Sequence, residues 1–137
     1  MKYADLQCGD YFKINDKAYI VSRTFSCNKI SFRIDSKDCG HKCIFMDTTE
    51  IEYTTVYEYD NPYLSNIGLS CRLDSAPIGQ PLYIPDTDEY IVKFTATVAF
   101  WISGKQAGKM TVVNVDNPMV KTVNKVYVRY CEEENEI

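Results

Sequence analysis

Apolar and polar residues alternate along most of this chain, and a period of two is the mark of strands with one buried face. In 11–15, Phe12 and Ile14 share a face; Asp16-Lys17 offers a turn, and 18–25 continues with Tyr19, Val21 and Phe25 aligned. Ile30, Phe32 and Ile34 mark another strand to about residue 35. SKDCGHK (36–42) reads as a turn, 43–47 resumes the sheet, and 50–59 alternates with Ile51, Tyr53, Thr55, Tyr57 and Tyr59 on one side. The pattern thus predicts five strands before residue 60.

The same text then recurs. GQPLYIPDTDEYIVKF (79–94) lies over GDYFKINDKAYIVSR (9–23), with Gly9 on Gly79, Ile14 on Ile84, Asp16 on Asp86 and Tyr19-Ile20-Val21 on Tyr90-Ile91-Val92. Further on, Thr24 meets Thr95, Phe32 meets Phe100, Lys37 meets Lys105 and Gly40 meets Gly108. After one deletion Lys42 meets Lys109, and Val56-Tyr57 meets Val126-Tyr127. Self-similarity at this spacing means two copies of one supersecondary unit. The expected fold is all-β: two tandem small SH3- or OB-like β-barrel repeats packed together, since five short strands suit a small curled barrel. The repeats span 1–60 and 79–131, with a linker at 61–78 and an acidic tail at 132–137. Asp60-Asn61-Pro62 reads as a helix start, with Leu64 and Ile67 three apart and Gly68 placed to end it, so the linker is expected to hold a short helical turn.

Composition supports strands: 11 Tyr and 6 Phe accompany abundant Val, Ile and Thr. The net charge of -4 argues against a general nucleic-acid grip, which needs a basic surface. No apolar run approaches the ~18 residues of a membrane span, and MKYADLQC lacks the apolar core of an export signal. The chain is therefore expected in the cytoplasm with its six Cys reduced.

Four constellations carry candidate chemistry. Cys39, His41 and Cys43 alternate across a turn, and with Cys27 from a neighbouring strand they would make a zinc ligand set; the competing reading is a reduced hairpin tip. The corresponding turn of the second copy carries Ala107, Gly108 and Met110, so the fold itself requires no metal. Lys105 and Lys109 in GKQAGK, with Lys37 and Lys42 in the first copy, sit beside glycine amides that could hold a small anion. GKQAGKMT is not a P-loop, because it is short by one residue and joins two strands. Asp86, Asp88 and Glu89 read as a solvated turn. His41 is the only His and no nucleophile elbow is present, so enzymatic activity is not expected.

Aromatics are the remaining candidates. Phe100 and Trp101 are adjacent in a strand and face opposite ways; Phe100 is assigned to its barrel core and Trp101, aligned with Arg33, to the outside. Trp101 and Tyr57 then become candidate binding residues, or contacts between the repeats. A glycine-led hairpin on a small β-barrel resembles many small proteins of phages and mobile elements. The expectation is a non-enzymatic binding protein that occupies a host protein. The alternatives are a binder of a small, nucleotide-like anion and a structural or virion component that assembles into a homo-oligomer through its sheet edges.

Overall fold

In a computed structural model, residues 1–129 are described; the acidic tail lies outside them. The first hairpin forms where alternation predicts it, with its turn one residue earlier than expected, at Asn15-Asp16 and not at Asp16-Lys17. Strands β1 (Tyr11–Ile14) and β2 (Lys17–Arg23) pair antiparallel, with Phe12 opposite Tyr19. Asn15 and Asp16 link them with φ of 51° and 65°. Positive φ at both positions gives the turn whose twist matches the flanking strands, and Asn and Asp tolerate it best among residues with a side chain.

β3 (Lys29–Arg33), β4 (Lys42–Cys43) and β5 (Glu52–Thr54) complete a five-stranded sheet of order β4-β3-β2-β1-β5. β6 (Val56–Asp60) then leaves it. The second region comprises β7 (Ser70–Arg72), β8 (Pro81–Ile84), β9 (Glu89–Lys93), β10 (Val98–Trp101), β11 (Met110–Val112) and β12 (Met119–Thr122). Its sheet has the order β11-β10-β9-β8-β12-β7, which repeats that of the first sheet and adds β7 at one edge. β13 (Lys125–Arg129) pairs with β6 in a separate two-stranded sheet.

The fold is all-β, but among the described residues no sheet closes into a barrel as the sequence had suggested. The reason lies at Thr55. The expected single strand over 50–59 is broken there, where Thr54 Oγ1 accepts from Val56 N at 3.2 Å. Before the break β5 pairs with β1; after it β6 crosses to β13. Beyond its sheet each half therefore continues into the separate β6–β13 pair instead of closing that sheet on itself. The second hairpin also corrects the residue correspondence. Its turn is longer, Leu82 lies opposite Ile91, and Ile91 rather than Tyr90 takes the place of Tyr19. Likewise β10 sets Phe100 opposite Met110 as β3 sets Phe32 opposite Lys42, so Lys42 corresponds to Met110 and not to Lys109.

Three apolar clusters hold the described residues together. The central one joins Ile20, Phe32 and Ile34 of the first sheet to Val92, Phe100 and Ile102 of the second, with Tyr57, Tyr59 and Val126 from the crossing pair. Phe32 and Phe100 stack with centroids 4.0 Å apart and planes 6° apart. On the outer face of the first sheet, Tyr3 and Leu6 cover Phe12, Tyr19 and Val21. On the outer face of the second, Leu73 and Ala76 cover Leu82, Ile91 and Trp101. Both faces of each sheet are buried, which explains the unbroken apolar runs AYIV and AFWI inside an otherwise alternating text.

This layering reverses one expectation. Phe100 faces the other sheet, and Trp101, 5% exposed, fills the outer cluster of its own. The linker 61–78 does hold one helical turn, but at Leu73–Ser75 and not at 61–68 where Asp60-Asn61-Pro62 had placed its start; 61–69 contains no helix. Asn61 Oδ1 accepts from Tyr63 N at 3.2 Å, and a side chain that bonds its own backbone in this way favours a turn over a helix. The 3₁₀ turns sit instead at Tyr3–Asp5, Ser36–Asp38 and Leu73–Ser75.

Two predictions follow from the shared core. Phe100→Ala removes one ring of the central stack and should cost about 3–5 kcal/mol, seen as a lowered urea midpoint. Burial holds the Tyr3, Tyr19, Tyr57 and Tyr59 hydroxyls and the Cys39 thiol above their ordinary pKa values. Above about pH 9–10 the unfolded chain loses these protons while the folded chain keeps them, so stability falls as pH rises. Thermal melts followed by circular dichroism from neutral to strongly alkaline pH should show a falling midpoint, with part of the tyrosinate absorbance arriving only on unfolding.

Candidate functional site

The sequence-selected residues scatter to different depths. Tyr57 is fully buried in the central cluster, and its hydroxyl donates to Ile34 O at 2.8 Å. Desolvation, with the nearby Cys39 adding to it, holds that hydroxyl protonated far above the ordinary range. Its role is to span from β6 to the first sheet; no surface is left for a partner to touch.

The proposed zinc ligands are not brought together. Cys39 is buried in the central cluster, whereas Cys43 packs against the outer cluster of the first sheet. His41 lies exposed between them, and Cys27 is exposed in a turn with φ of 66°. Among the described residues no group of three His, Cys, Asp or Glu side chains is placed to hold a metal ion. Alternate residues would share a face only in an extended strand, and the chain turns at Gly40, where φ is +93°.

The four lysines divide among separate grooves. Lys105 lines a cleft of about 310 Å³ with Asp10, Cys8, Gly9 and Ala107, between the start of β1 and the β10–β11 turn. Lys37 lines a smaller one of about 190 Å³ with His41, Gly79 and Phe94, between the β3–β4 connection and the start of β8. Lys109 borders a third groove with Arg23 and Phe25, and Lys42 is exposed on β4. These turns do their work between the sheets. Gly9 N donates to Val21 O at 2.9 Å, and a Cβ on Gly9 would come within 2.8 Å of Ala107 O. A Cβ on Gly108 would collide with Val21 O and Gly9 N, so both glycines are fixed by close backbone approach. Ser22 Oγ donates to Gly108 O, and Tyr11 Oη to Ile102 O, across the same seam.

Sequence reasoning passed over two features. Lys93 is 3% exposed, and its ammonium donates to Asp74 O at 3.0 Å and Ala76 O at 2.9 Å, tying the 73–75 turn to β9. Lys29 does the corresponding work in the first half, donating to Tyr3 O at 2.7 Å with its ammonium 4.4 Å from the Tyr3 ring centroid. The signal for Lys93 was present, as a lysine inside the apolar run IVKF. The second feature is the connector 61–69. Tyr63 is 93% exposed, Leu69 57% and Ile67 47%, although its backbone is pinned. Asn61 N donates to Asn124 O at 2.9 Å, Gly68 N to Thr122 O at 2.8 Å and Leu69 N to Thr122 Oγ1 at 3.1 Å. Asn66 Nδ2 donates to Gln80 Oε1 at 3.0 Å.

No family of proteins, no curated protein and no solved structure matches this chain. No helix among the described residues is long and apolar enough to cross a membrane.

The placement of the thiols yields a chemical test. With a thiol-reactive disulfide reagent, exposed Cys27 should react fast in the native protein, and Cys8, exposed but with its thiol pushed up by desolvation, more slowly. Cys39, buried and held protonated by desolvation with the Asp35 charge adding to it, should react only at the rate of unfolding. Cys39→Ser should abolish that slow phase.

Proposed function

We propose that this chain is a non-enzymatic binding protein built from two copies of one small β unit, and that it acts by occupying a partner protein with the connector between them. What carries the reading is the connector itself: three large apolar side chains displayed on a backbone already fixed by hydrogen bonds to β12 and its neighbours. A pinned loop spends little conformational entropy on association, and exposed aromatic and aliphatic side chains are the usual anchors of protein interfaces. The two-copy reading rests on the matching strand orders and on reciprocal contacts, Gly9 against Gly108 and Gly79 against Gly40. Such contacts are those of an isologous dimer drawn within one chain.

A small-anion binder fits less well, since the lysines of the two turns open into separate grooves and Lys105 shares its cleft with Asp10.

The combined variant Tyr63→Ser, Ile67→Ser, Leu69→Ser tests the reading. Its thermal midpoint should stay close to that of the parent, because these side chains contribute little to the core. A protein partner retained by the parent should be lost at least tenfold, and Phe25→Ser, on another exposed side chain, should keep it. Equal retention by the triple variant, or no retained protein at all, would count against the connector.

A further inference from the structure

Trp101 Nε1 is the one buried side-chain nitrogen or oxygen among the described residues without a hydrogen-bond partner. Buried donors are almost always paired, so an orphan of this kind asks for a function. The ring is held in the outer cluster of the second sheet by Leu82, Ile91 and Val120. It also forms part of the wall of a cleft of about 280 Å³ between the β8–β9 turn and the 113–118 loop. Ile84, Val115 and Pro118 supply apolar walls, and Val115 is 78% exposed. Glu89 and Asp116 line the same cleft, whereas no lysine or arginine does. Neither carboxylate takes part in an ion pair among the described residues. The Asp116 carboxylate accepts from Thr111 Oγ1, and the Glu89 carboxylate lies over Gly104, where a side chain would displace it.

From these residues we propose that the Trp101 cleft binds a small organic cation that carries a hydrogen-bond acceptor, a site separate from the connector surface. The acceptor, a carbonyl or hydroxyl, takes the indole N–H after the small side-chain adjustment that commonly accompanies binding. The cationic amine or guanidinium pairs with Glu89 and Asp116, and the apolar body rests on Ile84, Val115 and Pro118. An anionic ligand is disfavoured, because two uncompensated carboxylates repel it at short range. The volume of about 280 Å³ lies just below the roughly 300–1,000 Å³ typical of ligand clefts, which suits a small, metabolite-sized molecule.

The chain's single Trp makes the site its own reporter. L-Argininamide, with a guanidinium, an amine and a carbonyl, is the probe, titrated into the full-length protein while tryptophan emission is followed. A saturable change is expected. L-Citrullinamide, in which a neutral ureido group replaces the guanidinium, should bind at least tenfold more weakly, and succinate should leave the emission unchanged. Glu89→Gln should weaken argininamide at least tenfold at an unchanged thermal midpoint. Trp101→Phe, followed by calorimetry, should weaken it about fivefold. No saturable response of the parent protein to argininamide would overturn the proposal. So would equal binding of citrullinamide or succinate, or full affinity in a folded Glu89→Gln protein.

Discussion

Phe32 stacked on Phe100 is the contact about which the rest of the chain is arranged. The two rings lie nearly parallel at 4.0 Å, each fully buried and each from the strand next to the edge of a different sheet. A sheet of five or six short strands buries little surface by itself, and the remedy here is to share a face. The outer faces are closed locally, by the 3–5 turn over one sheet and the 73–75 turn over the other. The result is a layered body in which neither half has a complete core without the other.

That arrangement dictates what the conspicuous residues can do. The seam needs backbones at close range, so Gly9 and Gly108 are spent there, and the lysines that flank the β10–β11 turn are carried to its rim instead of into one anion pocket. Tyr57 is consumed by the crossing strand, and Cys39 by the central core, which separates it from Cys43. What remains available is elsewhere: a pinned connector with outward apolar side chains, and an acidic cleft beside an indole with an unused donor.

Lys93 and Lys29 illustrate how one structural need is met from different sequence positions. Each half must fasten a 3₁₀ turn whose carbonyls point toward its sheet. In the first half a lysine on β3 reaches Tyr3 O, and in the second a lysine on β9 reaches Asp74 O and Ala76 O. A buried ammonium is tolerated when its protons are taken up by carbonyl oxygens, and the turn in exchange gains a further hydrogen bond to its sheet. The two lysines do not align in sequence, so a residue-by-residue comparison misses the equivalence.

The sequence by itself determined the all-β class and the place of the first hairpin, although its turn falls at Asn15-Asp16 and not at Asp16-Lys17. These are properties of period and local turn chemistry, which a chain carries in the order of its residues. It left the second hairpin one residue out of register, because an insertion in a turn of unknown length moves every later position. Only the tertiary structure decided that the 50–59 segment breaks at Thr55, that β6 pairs with β13, and that Trp101 packs in the outer cluster of its own sheet while Phe100 meets the other half. Alternation says that two neighbours face opposite sides of a sheet, not which side is covered by what. When both faces are buried, the choice belongs to the packing of distant segments.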